Sequence, residues 1–163
     1  MNIRSPSLYC AFGNKANLFI EALKYYRTTY WRPVFNAFLE DADLYHATKN
    51  LFETSARILL LPEAPCGCLT VFSALTLPSN EREIQVVIKE MRQETRNIFR
   101  ERLKKAVHSG QIAEDCDIPA LTGALINFFE GLTLQARDQD ICLSELLALA
   151  SVGLKLLPEY KKV

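Results

Sequence analysis

Five cysteines (Cys10, Cys66, Cys68, Cys116 and Cys142) and two histidines (His46 and His108) are the side chains of this sequence suited to metal binding, nucleophilic attack or redox chemistry. Zinc sites need thiolates and imidazoles at short, regular intervals. Here Cys66 and Cys68 are two apart and the histidines are distant from them. An odd, scattered set of cysteines argues against a disulfide framework, so the thiols read as buried or half-buried. The chain has no glycine loop for phosphates, no paired-histidine metal motif and no nucleophile elbow. Two histidines in separate segments offer no evident acid–base relay. The sequence therefore points away from an enzyme and calls for no cofactor.

Binding chemistry is better supported, at the start of the chain. Residues 2–19 read Asn-Ile-Arg-Ser-Pro-Ser-Leu-Tyr-Cys-Ala-Phe-Gly-Asn-Lys-Ala-Asn-Leu-Phe. Ser5 can cap free N–H groups and Pro6 suits a first helical turn. Leu8, Ala11 and Phe12 form one short apolar face. Gly13 stops that helix, Asn14 can cap the next, and Lys15 falls in the following first turn. Two helices joined by a tight glycine turn describe a helix-turn-helix. The net charge of the chain is zero, but residues 1–40 carry a balance of +3 and the acidic surplus lies between Glu114 and Glu145. A basic start on a neutral-to-acidic body suits a DNA reader attached to something else.

Leu8-Tyr9, Phe12, Lys15 and Leu18-Phe19, with Ser5-Pro6-Ser7 ahead, resemble the recognition-helix signature of TetR/AcrR-type transcriptional regulators. Gly67-Cys68-Leu69 resembles the start of a short helix in that family's ligand domain. The resemblance implies an all-α, TetR-like helical bundle. Residues 1–40 would hold a partial helix-turn-helix and connector helix, and residues 41–163 a ligand-binding and dimerisation domain. It implies that Arg4, Ser5 and Ser7 reach bases or phosphates, that Tyr9 and Lys15 clamp phosphates, and that Leu8 and Phe12 hold the helix to its domain. The implied partners are a double-stranded DNA operator, a small-molecule effector and a second copy of the chain. Repression, released by a small apolar or aromatic effector, is the implied function. The family builds its DNA-binding domain from three helices and this sequence opens at the third. The expectation is thus a chain lacking two helices, and the alternative is a truncated ligand-binding and dimerisation module without DNA binding.

The elements that must position these residues all read as helices. Residues 15–39 repeat apolar side chains at helical spacing, with Pro33 expected to kink or break the run. Asp43 can cap a helix to about residue 61, ended by Pro62 and Pro65. The run from Thr70 to Leu75 fits a buried strand or a short helix equally well by periodicity; the Gly-Cys-Leu resemblance selects helix. A long helix follows from Asn80 to about Ser109, with Ile84, Val87, Ile88, Met91, Ile98, Leu103 and Val107 inward. Its basic row of Arg92, Arg96, Arg100 and Lys104 is interleaved with Glu90, Glu94 and Glu101, the pattern of a solvated face. Pro119 opens a helix to about Arg137 that is apolar nearly all round and must be covered on several sides. Ser144 is expected to cap the last helix, and Pro158 to stop it.

Pockets for small molecules are mostly apolar with a few orienting polar groups. Trp31, Phe35, Phe52, Phe72, Met91 and Phe128 could supply the first, and Thr95, Asn127 and Glu130 the second. The placing of a pocket between these helices is implied by the family resemblance. The last two helices carry more apolar surface than one small bundle needs. Gly123, Ala124, Gly131, Leu146, Ala150 and Leu154 are the residues expected to meet a two-fold copy in a four-helix bundle. No apolar run reaches membrane-span length and the start has no signal-peptide pattern, which predicts a cytoplasmic protein.

Overall fold

The computed structural model describes residues 11–62, 67–78, 80–138 and 140–158. Among these the fold is all-α. Gly13, at φ 81°, ends a helical turn at Ala11-Phe12. Asn14 then caps α1 (Lys15–Tyr26), its side chain accepting from the Asn17 N–H at 2.7 Å. A π turn (Arg27–Trp31) leads without a break into α2 (Arg32–Glu40). The kink expected at Pro33 takes this form. Proline cannot donate to the carbonyl four residues back, and the helix widens just ahead of it, with Arg32 N–H bonded to Arg27 O.

The helix α3 (Leu44–Leu59) starts on Asp43, whose carboxylate accepts from His46 N–H at 2.7 Å. The short α4 (Leu69–Thr76) is helical as chosen. The long α5 (Arg82–His108) ends before Gly110, at φ 72°. Asp117 caps α6 (Ile118–Gln135), with Pro119 in its first turn. The last helix, α7 (Leu143–Gly153), runs into a 3₁₀ turn (Leu154–Leu156). Its cap is Cys142 and not Ser144 as expected. Glu145 reaches back to the Cys142 N–H at 2.9 Å, a capping-box contact that starts the helix two residues earlier. That hydrogen bond holds the Glu145 carboxyl below its usual range.

Packing divides in two. The main core joins α2, α3, α6 and α7 to the second half of α5, around Trp31, Phe35, Phe38, Phe52, Phe99, Leu125 and Phe129. A smaller cluster of Leu23, Ile84, Ile88 and Met91 ties α1 to the first half of α5. The inward face of α5 differs from expectation in its second half: Phe99, Arg102 and Ala106 are buried with Leu103, while Ile98 and Val107 are half-buried. The stripe continues at three- and four-residue steps from Ile84, and that phase selects Phe99 over its aliphatic neighbour.

The loop after α5 is pinned by Gln111, 4% exposed. Its side-chain oxygen accepts from Leu44 N–H at 2.7 Å and its amide donates to Ala42 O at 2.9 Å. Gln111→Ala orphans the buried Leu44 N–H, so a loss of about 1–3 kcal/mol is expected, read as a lower urea midpoint with an unchanged slope.

Leu146, Ala150 and Leu154 lie in the protomer's own core. These three were expected at a dimer face; within the protomer that side of the last helix packs toward α3 and α6. Gly123, Ala124 and Gly131 are half-exposed on α6. A β-carbon at either glycine would meet nothing within 4 Å. Among the described residues no helix is long and apolar enough to cross a membrane.

Candidate functional site

An aromatic cleft opens where the π turn meets α4, α5 and α6. Trp31 and Phe35, one turn apart, stack with centroids 6.1 Å apart, and Phe129 of α6 closes on both at 5.3 and 5.9 Å. Cys68, Thr70 and Val71 form a further wall, and Arg27, Arg92, Thr95 and Glu130 the polar rim. The free space is about 30 Å³, the size of one water.

The rim is tied by two crossings. From the π turn, Arg27 Nε donates to Glu94 Oε2 at 3.0 Å and Arg27 Nη1 to Thr95 Oγ1 at 3.2 Å. Its guanidinium also lies 5.4 Å from the Phe35 ring centroid, within cation–π range. From α5, Arg92 meets Glu130 of α6 with both carboxylate oxygens engaged, Nη2 at 3.2 and 3.1 Å. At the back of the cleft the Tyr26 hydroxyl faces the Cys68 thiol, the Trp31 indole N–H and the Leu69 N–H. Burial, more than any neighbour, pushes the Tyr26 hydroxyl and the Cys68 thiol above their usual ranges. Both therefore stay neutral near pH 7, and a neutral thiol is a poor nucleophile.

Of the pocket residues expected from sequence, the structure brings Trp31, Phe35, Thr95 and Glu130 together here. Met91 lies one step away, in a surface groove with Arg27, Phe35 and Glu94. Phe52 and Phe128 pair with each other at 4.9 Å, the latter ring packed over Gly153. Phe72 stacks under the Arg137 guanidinium at 4.4 Å, and Asn127 is exposed. These four stand outside the cleft because α3, α4 and α6 turn them toward other neighbours or toward solvent. Sequence reasoning did not find Arg27, Arg92, Cys68 or Phe129 as cleft residues. A cation between aromatics, Tyr26-Arg27 and Tyr30-Trp31, was the available signal for the first; Arg92 and Glu130, 38 residues apart, had none.

Lys15 is exposed at the start of α1. The other residues expected at DNA, Arg4, Ser5, Ser7 and Tyr9, lie outside the described residues. Among the described residues no three His, Cys, Asp or Glu side chains gather where they could hold a metal.

Among the described residues, then, the chain is an all-α bundle in which the helix begun after the Gly13 turn runs on into an aromatic cleft. No protein-family model matches the chain. Its fold is similar to the TetR family transcriptional regulator CifR, solved as cysteine mutants complexed with 26-bp double-strand operator DNA. The TM-score is 0.88 at 31% identity, over 96% of this chain and 81% of that one. It is also similar to the HTH-type transcriptional repressor ComR of Escherichia coli K12, 25% identical over 160 residues, 98% of this chain and 76% of that protein. The HTH-type transcriptional regulator YezE of Bacillus subtilis 168 is 25% identical over 138 residues, 84% of this chain and 71% of that protein. The chain belongs to the TetR family of DNA-binding transcriptional regulators, a family of non-enzymes.

Proposed function

We propose that the protein is a repressor that binds operator DNA as a two-fold dimer and lets go when a small apolar or aromatic effector enters the cleft. One observation carries this reading. The helix that begins at Lys15 continues through the π turn into Trp31 and Phe35, so the DNA end and the cleft share one element. A ligand that parts Trp31 from Phe129 must move that helix or strain it. Differential affinity for two settings of the helix is all that release requires, and it is reciprocal: the operator weakens the effector as much as the effector weakens the operator.

In this reading residues 1–40 form the reading and connecting part and residues 41–163 sense and dimerise. Arg4, Ser5 and Ser7 meet bases or phosphates, and Tyr9 and Lys15 hold phosphates. CifR, similar in fold, is complexed with operator DNA. Two recognition helices fit half-sites one helical turn, or a multiple, apart. The open ridge of Gly123, Ala124 and Gly131, with Leu134 exposed beside it, is the surface on which a partner's α6 could come close.

Selection from a random double-stranded DNA pool should yield two-fold symmetric sites, bound with an affinity that falls steeply with salt. Lys15→Ala should weaken binding evenly across those sites and reduce the salt slope by about one, as measured by fluorescence anisotropy. An unchanged slope removes Lys15 from the phosphate contacts. Failure to enrich any sequence removes the operator reading as a whole.

A further inference from the structure

Outside the cleft, on the far side of Arg92, runs a groove of about 350 Å³ between α4, α5 and α6. That volume is in the range of small-molecule sites. Its floor is apolar, with Leu77, Ile88 and Ile126. Its wall on α5 is cationic: Lys89, Arg92 and Arg96 stand three and four residues apart, on one face of the helix. Glu130 is the one carboxylate lining it, and Arg92 already engages both of its oxygens. Lys89 and Arg96 make no ion pair among the described residues.

The Arg92–Glu130 pair is common to three spaces. It lines this groove, the aromatic cleft, and a shallower hollow of about 220 Å³ beside Leu75 and Leu134. The partition between groove and cleft is thus partly two side chains meeting tip to tip, with Arg92 nearly half-exposed. A neutral ligand that parted them would forfeit their two-oxygen, charge-assisted pairing and offer nothing in its place. A carboxylate avoids that loss for Arg92, because it offers the same two-oxygen partner that Glu130 offers. The groove's surplus of positive charge also favours an anion over a neutral or cationic guest.

We propose that the effector is an organic monocarboxylate with an aromatic or apolar body. Its carboxylate replaces Glu130 on Arg92, flanked by Arg96 and Lys89, and its body passes through the opened partition to lie against Trp31, Phe35 and Phe129. This rests on the effector reading above and adds the chemical class of the guest and its point of entry.

Trp31 is the chain's single tryptophan and lines the cleft, so its emission reports on what enters. The whole protein is titrated with ω-phenylalkanoates from phenylacetate to 6-phenylhexanoate, and with the matching primary amides. At least one acid should change Trp31 emission saturably and bind about tenfold tighter than its amide or better, the worth of a charge-assisted pair. Arg92→Gln should remove most of that preference. Arg92→Lys, which keeps the charge without the two-pronged geometry, should fall between. Each variant's melting temperature shows that it is folded. Amides that bind as tightly as acids overturn the proposal, as does a preference that survives Arg92→Gln. If those amides also release DNA, the effector reading stands without this inference. If neither series alters Trp31 emission, this inference falls, and the effector reading is left to other apolar or aromatic compounds tested for release of the selected DNA.

Discussion

Phe99→Ala should be the most damaging single substitution in the body of the protein, at about 3–5 kcal/mol. Phe99 is completely buried. Its ring lies 5.1 Å from Phe38 and 5.9 Å from Phe129, tilted to both, the offset geometry that aromatic pairs prefer. Truncation removes the transfer energy of the ring and leaves a void that α2, α5 and α6 can close only in part. For a domain of this size the loss is a large share of the total stability, which is itself only about 5–15 kcal/mol. The measurement is urea unfolding, with a lower midpoint and an unchanged slope. Because Phe129 borders the void on one side and the cleft on the other, Trp31 emission in the folded variant should also shift. A stability loss below about 1 kcal/mol, the scale of an ordinary surface change, would mean that the ring does not bridge the three helices.

Gly67→Ala should cost nearly as much, through a different mechanism. Gly67 has φ +92°, and a β-carbon there would sit 2.3 Å from the Phe72 ring and 3.2 Å from Cγ of Arg137. The backbone term is about 1–2 kcal/mol for a left-handed L-residue, and displacing a packed ring adds about 1–3 kcal/mol. Gly110→Ala separates the two. Gly110 has φ +72° but open space where a β-carbon would go, so it should show the backbone term alone. The difference between the two variants, read from denaturant midpoints, measures the crowding. Gly67 adjoins Cys68, and Thr70 and Val71 follow in α4, so its substitution also disturbs a wall of the cleft. Equal losses for the two variants would show that Phe72 swings aside without cost.

The helices were legible wherever local chemistry marks their ends. Gly13, Asn14, Asp43 and Pro119 each act as read, because a cap or a left-handed glycine needs only its near neighbours. Ser144 was misplaced as a cap because the contest between it and Cys142 turns on Glu145 reaching back, a matter of one side-chain rotamer. Phe99 was missed for a related reason: which of two adjacent apolar residues faces inward depends on helix phase along 27 residues. The cleft was half legible. Trp31 and Phe35 declared themselves by type and spacing, as did Thr95 and Glu130 by their polarity on apolar faces. Phe52, Phe72, Asn127 and Phe128 had the same credentials and lie elsewhere, since residue type does not say which pair of helices a ring will sit between. The Arg92–Glu130 partition belongs to tertiary structure alone.

The π turn sets an angular offset along the chain. Each residue of an α-helix advances the winding by about 100°, and a π turn accommodates one residue more than the α count allows. Leu23 and Trp31 are therefore out of phase by about that angle, compared with a helix that runs α throughout. This lets one continuous helix point Leu23 at Ile84 and Ile88 while pointing Trp31 at Phe129. It also fixes the kind of movement the joint can deliver. Were the wide turn to tighten to α, the end bearing Lys15 would swivel about the helix axis more than it would slide along it. In the two-fold dimer proposed above, such a swivel would change the facing of the two DNA-reading ends more than the distance between them.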